Sequence, residues 1–165
     1  KKAYPDRNLA DVLYMAMPSR RGSIEFSRLR AAQEGAAPIY NWMFNLEAPF
    51  MDGTMPWHNA EEPYVFHNAE YIEAQYEPEI SERLQDIMAA AWVRFAETGN
   101  PNHPGMPEWP QVKADSCPTM LFDRTCEVRA DHDYDLVCLE APPAVRAFPG
   151  SGIMAAIFGI KPEDR

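Results

Sequence analysis

Four histidines stand in the 165-residue chain, and two of them head copies of the same tetrapeptide, His-Asn-Ala-Glu, at residues 58–61 and 67–70. An imidazole titrating near neutral pH can carry a proton for catalysis. It can also ligate a metal through a ring nitrogen. In the first role it needs a nucleophile, and no G-x-S-x-G elbow occurs anywhere. Ser151, in Pro149-Gly150-Ser151-Gly152-Ile153, comes nearest, but its flanks and its place after His58 read as a turn. In the second role the two H-x-x-E pairs would offer nitrogen and oxygen ligands. That spacing favours a site on a helix, and Pro63 interrupts the stretch between them, so no metal is expected. His103 and His132 lie in polar loops and are expected to face solvent. Cys117, Cys126 and Cys138 form no C-x-x-C pair, which argues against structural zinc. They allow one internal disulfide at most and read as free, buried thiols.

The elements that must position these residues follow from apolar spacing. Residues 82–98 carry the strongest helical pattern: Ile80, Leu84, Ile87, Met88, Ala91, Trp92 and Phe95 form one apolar stripe. Ser81 is the expected N-cap, and Gly99, before Asn100-Pro101, the stop. Residues 37–46 predict a strand. Tyr40, Trp42, Phe44 and Leu46 share one face, with Ile39 and Met43 on the other, the pattern of a strand covered on both sides. His58 falls in the loop after it, residues 47–63. Residues 119–130 predict a hairpin turning at Asp123-Arg124-Thr125. Two further helices are expected near the start, over residues 8–16, stopped by Pro18, and over 21–34, stopped by Gly35. Beyond Asp131 little pattern remains, except that residues 153–160 are apolar enough to need burial.

Composition bounds the function classes. Apolar residues at 46% suffice for a packed core, and 16 prolines against 8 glycines predict stiff loops. A net charge of −10 repels phosphate backbones, so nucleic acid is not an expected partner. No run of 18 apolar residues exists to span a membrane as a helix. The chain starts at Lys1 without an initiator methionine or a signal-like stretch, and nothing in it assigns a compartment.

The segment Trp57-His58-Asn59-Ala60-Glu61-Glu62-Pro63-Tyr64-Val65-Phe66 is similar to the histidine loop of type-B carboxylesterases, which commonly reads Phe-His-Gly-Ala-Glu-Leu-Pro-Tyr-Val-Phe. The likeness continues in order through Trp92, Phe95-Ala96, Thr98-Gly99-Asn100-Pro101-Asn102, Trp109-Pro110, Met120 and Phe122. Upstream, Ala37-Pro38-Ile39-Tyr40 and Phe44 resemble the strand leading into that loop. Residues 36–123 carry the resemblance well, residues 4–35 loosely, and the tail not at all. Asn59 stands where glycine is usual, Glu62 where leucine is usual, and His67 where glycine is more common. Asparagine tolerates left-handed backbone, so the turn can survive. Glu62 brings a charge to a position the family fills with an apolar side chain.

The resemblance implies an α/β fold, the C-terminal part of an α/β-hydrolase with late sheet strands, covering helices and a terminal hairpin. Residues 1–130 would belong to the catalytic domain and residues 131–165 form a tail. In that family the order along the chain is serine, acid, histidine. His58 then takes the third place as general base and acid, and the nucleophile, the acid and the oxyanion loop would lie upstream of Lys1. The implied activity is hydrolysis of a small-molecule carboxylic ester through an acyl-enzyme, without a cofactor. The implied partners are the missing N-terminal portion and, for the isolated chain, other copies of itself. Glu61 is read either as support for the loop or as surface, and Trp57 and Met55 either as site lining or as core. Two other readings stay open: an esterase-like binding module without catalysis, and a metal protein using the paired His-Asn-Ala-Glu segments.

Overall fold

A computed structural model describes residues 18–50 and 53–140. The described elements are α1 (Pro18–Ala31), β1 (Asn41–Phe44), α2 (Glu62–Val65), a 3-10 turn (Ala69–Tyr71), α3 (Ile80–Thr98), β2 (Pro118–Phe122), β3 (Glu127–Ala130) and α4 (Tyr134–Glu140). The chain divides into two compact units, one made of residues up to Phe26 and from Asp133 onward, the other of Ser27–His132.

In the larger unit the three strands form one sheet in the order β1-β2-β3. β2 is wholly buried, as a central strand with both faces covered must be. β1 runs parallel to it, with Asn41 opposite Thr119 and Phe44 opposite Phe122, and β3 runs antiparallel. A parallel pair cannot be closed by a tight turn. The long connection from β1 to β2 accordingly carries α3 and the histidine loop. Leu84 and Met88 of α3 share a buried core with Leu46, Tyr64, Ala69, Trp109, Met120 and Phe122, and Trp42, Phe44 and Trp92 pack against it. The hairpin turn falls at Asp123-Arg124-Thr125 as the sequence predicts, and the Asp123 carboxylate accepts the Arg124 amide at 2.7 Å.

Several expectations need correcting. The strand is four residues long rather than ten, and before it the Ile39 carbonyl accepts the Val112 amide at 2.8 Å instead of continuing the ladder. Tyr40, Trp42, Phe44 and Leu46 do meet the core as their alternation predicts. Yet β1 is an edge strand among the described residues, and its residues are only half-buried. Ser81 is not the cap of α3. The helix opens one residue earlier, at Ile80, after a left-handed Glu79, and the Ser81 hydroxyl accepts the Glu77 amide at 2.9 Å. Gly99 ends the helix in left-handed geometry (φ 73°), its amide donating to the Phe95 carbonyl at 2.8 Å.

Pro18 opens α1, a first-turn position where its missing N–H costs nothing. α1 stops at Ala31, and Gly35 follows in a left-handed turn rather than capping the helix directly. The helix expected over residues 8–16, together with Ser151 and residues 153–160, lies outside the described residues. In the smaller unit Arg20 grips the Asp133 carboxylate through both guanidinium nitrogens, at 2.7 and 2.6 Å. Helix α4 there forms within the stretch where the sequence shows little pattern.

Candidate active site

His58 sits at the second position of a tight turn, residues 57–60, closed by the Ala60 amide donating to the Trp57 carbonyl at 3.1 Å. Asn59 at the third position has φ 69°. A positive φ at the third position alone is the signature of a type II turn, which selects glycine or asparagine there. Asn59 therefore takes the left-handed backbone that its side chain tolerates. The turn leaves the His58 side chain exposed, while Ala60 directly behind it is buried.

Beyond Ala60 the chain is fastened to the core. Pro63 lies in the first turn of α2, and Glu62, one residue earlier, is exposed, so its charge stays in water on this chain. The Glu61 carbonyl accepts the amides of Tyr64 and Val65, at 3.0 and 3.1 Å, so Glu61 supports the loop through its main chain. Tyr64 is 1% exposed. Its hydroxyl donates to the Gln75 carbonyl at 3.1 Å and lies 3.2 Å from Ser81 Oγ, and its ring packs on Phe44 with centroids 5.0 Å apart. Burial pushes its phenol above the ordinary tyrosine value, so it stays neutral.

α2 ends in a Schellman motif. The Asn68 amide reaches back to the Pro63 carbonyl at 2.8 Å, the His67 amide to Tyr64 at 3.4 Å, and His67 takes the left-handed position with φ 56°. That position usually belongs to glycine, and a residue with a Cβ pays roughly 1–2 kcal/mol there. The His67 ring, however, meets α3, with Nε2 2.7 Å from Asp86 Oδ1. Two residues further, the buried Ala69 amide donates to the side chain of Gln85 at 3.0 Å.

The two His-Asn-Ala-Glu segments thus serve different ends: His58 projects from a turn, and His67 closes a helix. Among the described residues no cluster of three or more His, Cys, Asp or Glu side chains is placed to hold a metal ion. His132 is buried at 5% exposure, against expectation, and Asp131 and Asp133 on either side of it both take left-handed backbone. His103 is half-buried rather than solvent-facing, its Nε2 3.0 Å from the Ile87 carbonyl while Nδ1 accepts the Gly105 amide at 3.2 Å. Cys117, Cys126 and Cys138 are free, and burial pushes the thiols of Cys117 and Cys126 up, away from the nucleophilic thiolate. Trp57 is 43% exposed beside His58, while Met55 is half-buried. Tyr64, Ser81 and Gln85 escape a sequence reading as loop supports. Ser81 and Gln85 are polar residues flanking Leu84 on the buried side of the helix, which was the available signal.

A separate cavity of about 140 Å3 is lined by Tyr40, Trp42, Trp92, Phe95 and Trp109, with Ala91 and Pro101. It lies on the β1 side of α3 and includes no residue of the histidine turn.

The carboxylesterase family matches residues 12–136 of the chain, a span that holds the parallel pair, α3 and the histidine turn. The chain belongs to the carboxylesterase family. An esterase from anaerobic Clostridium hathewayi that can hydrolyze aliphatic aromatic polyesters is similar at 38% identity and a TM-score of 0.76, over 84% of this chain and 27% of that one. Phenmedipham hydrolase of Pseudarthrobacter oxydans is 29% identical over 112 residues, 62% of this chain and 22% of that protein. Human cocaine esterase is 34% identical over 85 residues, 45% of this chain and 14% of its own length. The chain thus spans about a fifth of the length of the curated relatives it matches. Its small mixed sheet and covering helix are a partial α/β fold of the kind these carboxylesterases share.

Proposed function

We propose that this chain is the C-terminal portion of a serine carboxylic ester hydrolase and supplies its histidine, His58. The observation that carries this reading is the placement of His58: an exposed imidazole on a type II turn, in the crossover that follows a parallel strand. Open α/β sheets place their sites beyond the carboxyl ends of such strands.

In the complete protein an upstream serine attacks the ester carbonyl while His58 takes its proton. The imidazolium then delivers that proton to the departing alcohol, which leaves an acyl-enzyme. Water, deprotonated by the same ring, releases the acid and returns the proton to serine. The rigid attachment of the loop through Ala60 and Tyr64 suits this work, since general-base catalysis depends on a held geometry. The substrate is a small-molecule carboxylic ester, as membership of the carboxylesterase family supports, and no cofactor enters the chemistry.

The remaining N-terminal portion is the chain's natural partner. It would pair with the open edge of β1 and cover the aromatic cavity beside it.

Replacing His58 by alanine in the complete protein tests the reading. The expected outcome is an intact fold, kcat lowered by about 10³-fold or more, and KM little changed, because the histidine moves protons rather than holding the ester. A loss below about tenfold would remove His58 from the catalytic role.

A further inference from the structure

We propose that His67 is a positioning residue, a proton-dependent clamp that ties the end of the His58 loop to α3 through Asp86. The inference rests on the catalytic reading of His58 and adds a residue to it. Two observations carry it. First, His67 occupies the left-handed position of the Schellman motif that ends α2. Glycine suits that backbone best, so histidine there calls for a compensating contact. Second, the ring supplies one, since Nε2 lies 2.7 Å from Asp86 Oδ1 in the middle of α3. The loop between its free turn and α3 therefore has a buried anchor at Tyr64 and an exposed, titratable one at His67.

The charged groups acting on the ring are Asp86 from α3 and Glu70 from the 3-10 turn, and both are negative. The hydrogen bond to Asp86 is the main cause that raises the His67 pKa above its ordinary value, with burial opposing it. A raised folded-state pKa means the clamp is fully present below the ordinary histidine value and weakens as pH rises through the folded one. Above that pH the neutral ring can donate to the Asp86 carboxylate only as the Nε2–H tautomer, and the ion pair is lost.

Four variants of the complete protein, His67→Gly, Asp86→Asn, Asp86→Glu and His58→Ala, test the clamp. The readouts are kcat and KM for a simple aryl ester from pH 5.5 to 8.5, the NMR titration of the His67 ring, and amide exchange across residues 58–66. His67→Gly and Asp86→Asn are each expected to lower kcat about two- to fivefold at the acid end, with KM within twofold, as an exposed ion pair allows. The gap to wild type should close towards pH 8.5. Asp86→Glu, which keeps the carboxylate, should restore most of the loss, and Asp86→Asn should bring the ring's titration down. A variant-to-wild-type kcat ratio that is flat with pH, or a His67 titration indifferent to Asp86→Asn, overturns the clamp. If His58→Ala keeps full turnover, the catalytic reading fails by itself. The ring titration and the exchange at acid pH then decide whether the clamp exists. If His67→Gly does not fold, the same measurements on Asp86→Asn, a substitution at an exposed position, decide between the clamp and its absence.

Discussion

Two positive-φ residues, Asn59 and His67, bracket the segment that follows the His58 side chain, and each takes a backbone conformation that glycine adopts most easily. They are not equivalent. Asparagine visits left-handed backbone at small cost, so Asn59 needs no further support. Asn59→Gly is accordingly expected to leave stability within a few tenths of a kcal/mol. Asn59→Val, a β-branched residue that this backbone region disfavours, should cost about 1–2 kcal/mol. Urea denaturation midpoints of the complete protein check both. Equal effects of the two substitutions would mean that the turn relaxes and the left-handed geometry is not enforced.

Among the elements, α3 organises the site, because the histidine loop, the sheet and the hairpin turn all attach to it or to the turn before it. Its C-terminal stop depends on Gly99, where an added Cβ would meet Pro38 Cγ at an ordinary 3.8 Å. Space is therefore not the constraint there; the positive φ is. Gly99→Ala should cost about 1 kcal/mol, seen as a lowered melting temperature without loss of helix content. Just before the helix, Glu77 accepts the Arg124 guanidinium from the hairpin turn, one arm at 2.7 Å. The hydrogen bond to Arg124 is the main cause holding the Glu77 carboxyl below its usual range. With the folded-state pKa depressed, the pair contributes above the ordinary carboxylate value and is lost as pH falls through the lower folded one. Arg124→Ala is expected to move the acid-unfolding midpoint upward by a fraction of a pH unit. The pair is exposed and screened, so a shift of several units would point to a larger structural role.

At the scale of the whole chain, β1 is an edge strand among the described residues, with the aromatic cavity beside it. Phe95 and Val93 add exposed apolar area on α3. A strand edge left unpaired, with aromatic residues on one face, would be a template for another chain. The isolated chain is expected to self-associate or to bind its own N-terminal portion tightly, with the net charge of −10 slowing aggregation. Light scattering after size exclusion, across a dilution series, measures this directly. A stable monomer with native-like near-UV dichroism and no dye binding would make these elements a self-sufficient domain. The same chain alone should hydrolyse aryl esters no faster than free imidazole. Saturable turnover blocked by a serine-directed phosphonate would contradict the reading of an upstream nucleophile.

Features that depend on near neighbours were legible in the order of the residues. Helix α3 showed in its apolar stripe and in Gly99, the hairpin in its turn residues, and the core face of β1 in the alternation of Tyr40, Trp42 and Phe44. Residues 57–66 stood out through their resemblance to the family's histidine loop, whereas the type II turn and the short helix within them were read only as loop. Which side chains answer one another across long separations emerged with the folded chain alone. That Ile39 leaves the ladder at the start of β1 goes with its bond to Val112, far apart in sequence. That Ser81 braces Tyr64, and that His67 finds Asp86, depends on how the loop folds back onto α3. Local propensity covers a few residues at a time, and a polar side chain's partner is set by whichever distant group packing brings within about 3 Å. The positions of those groups exist only once the chain has closed.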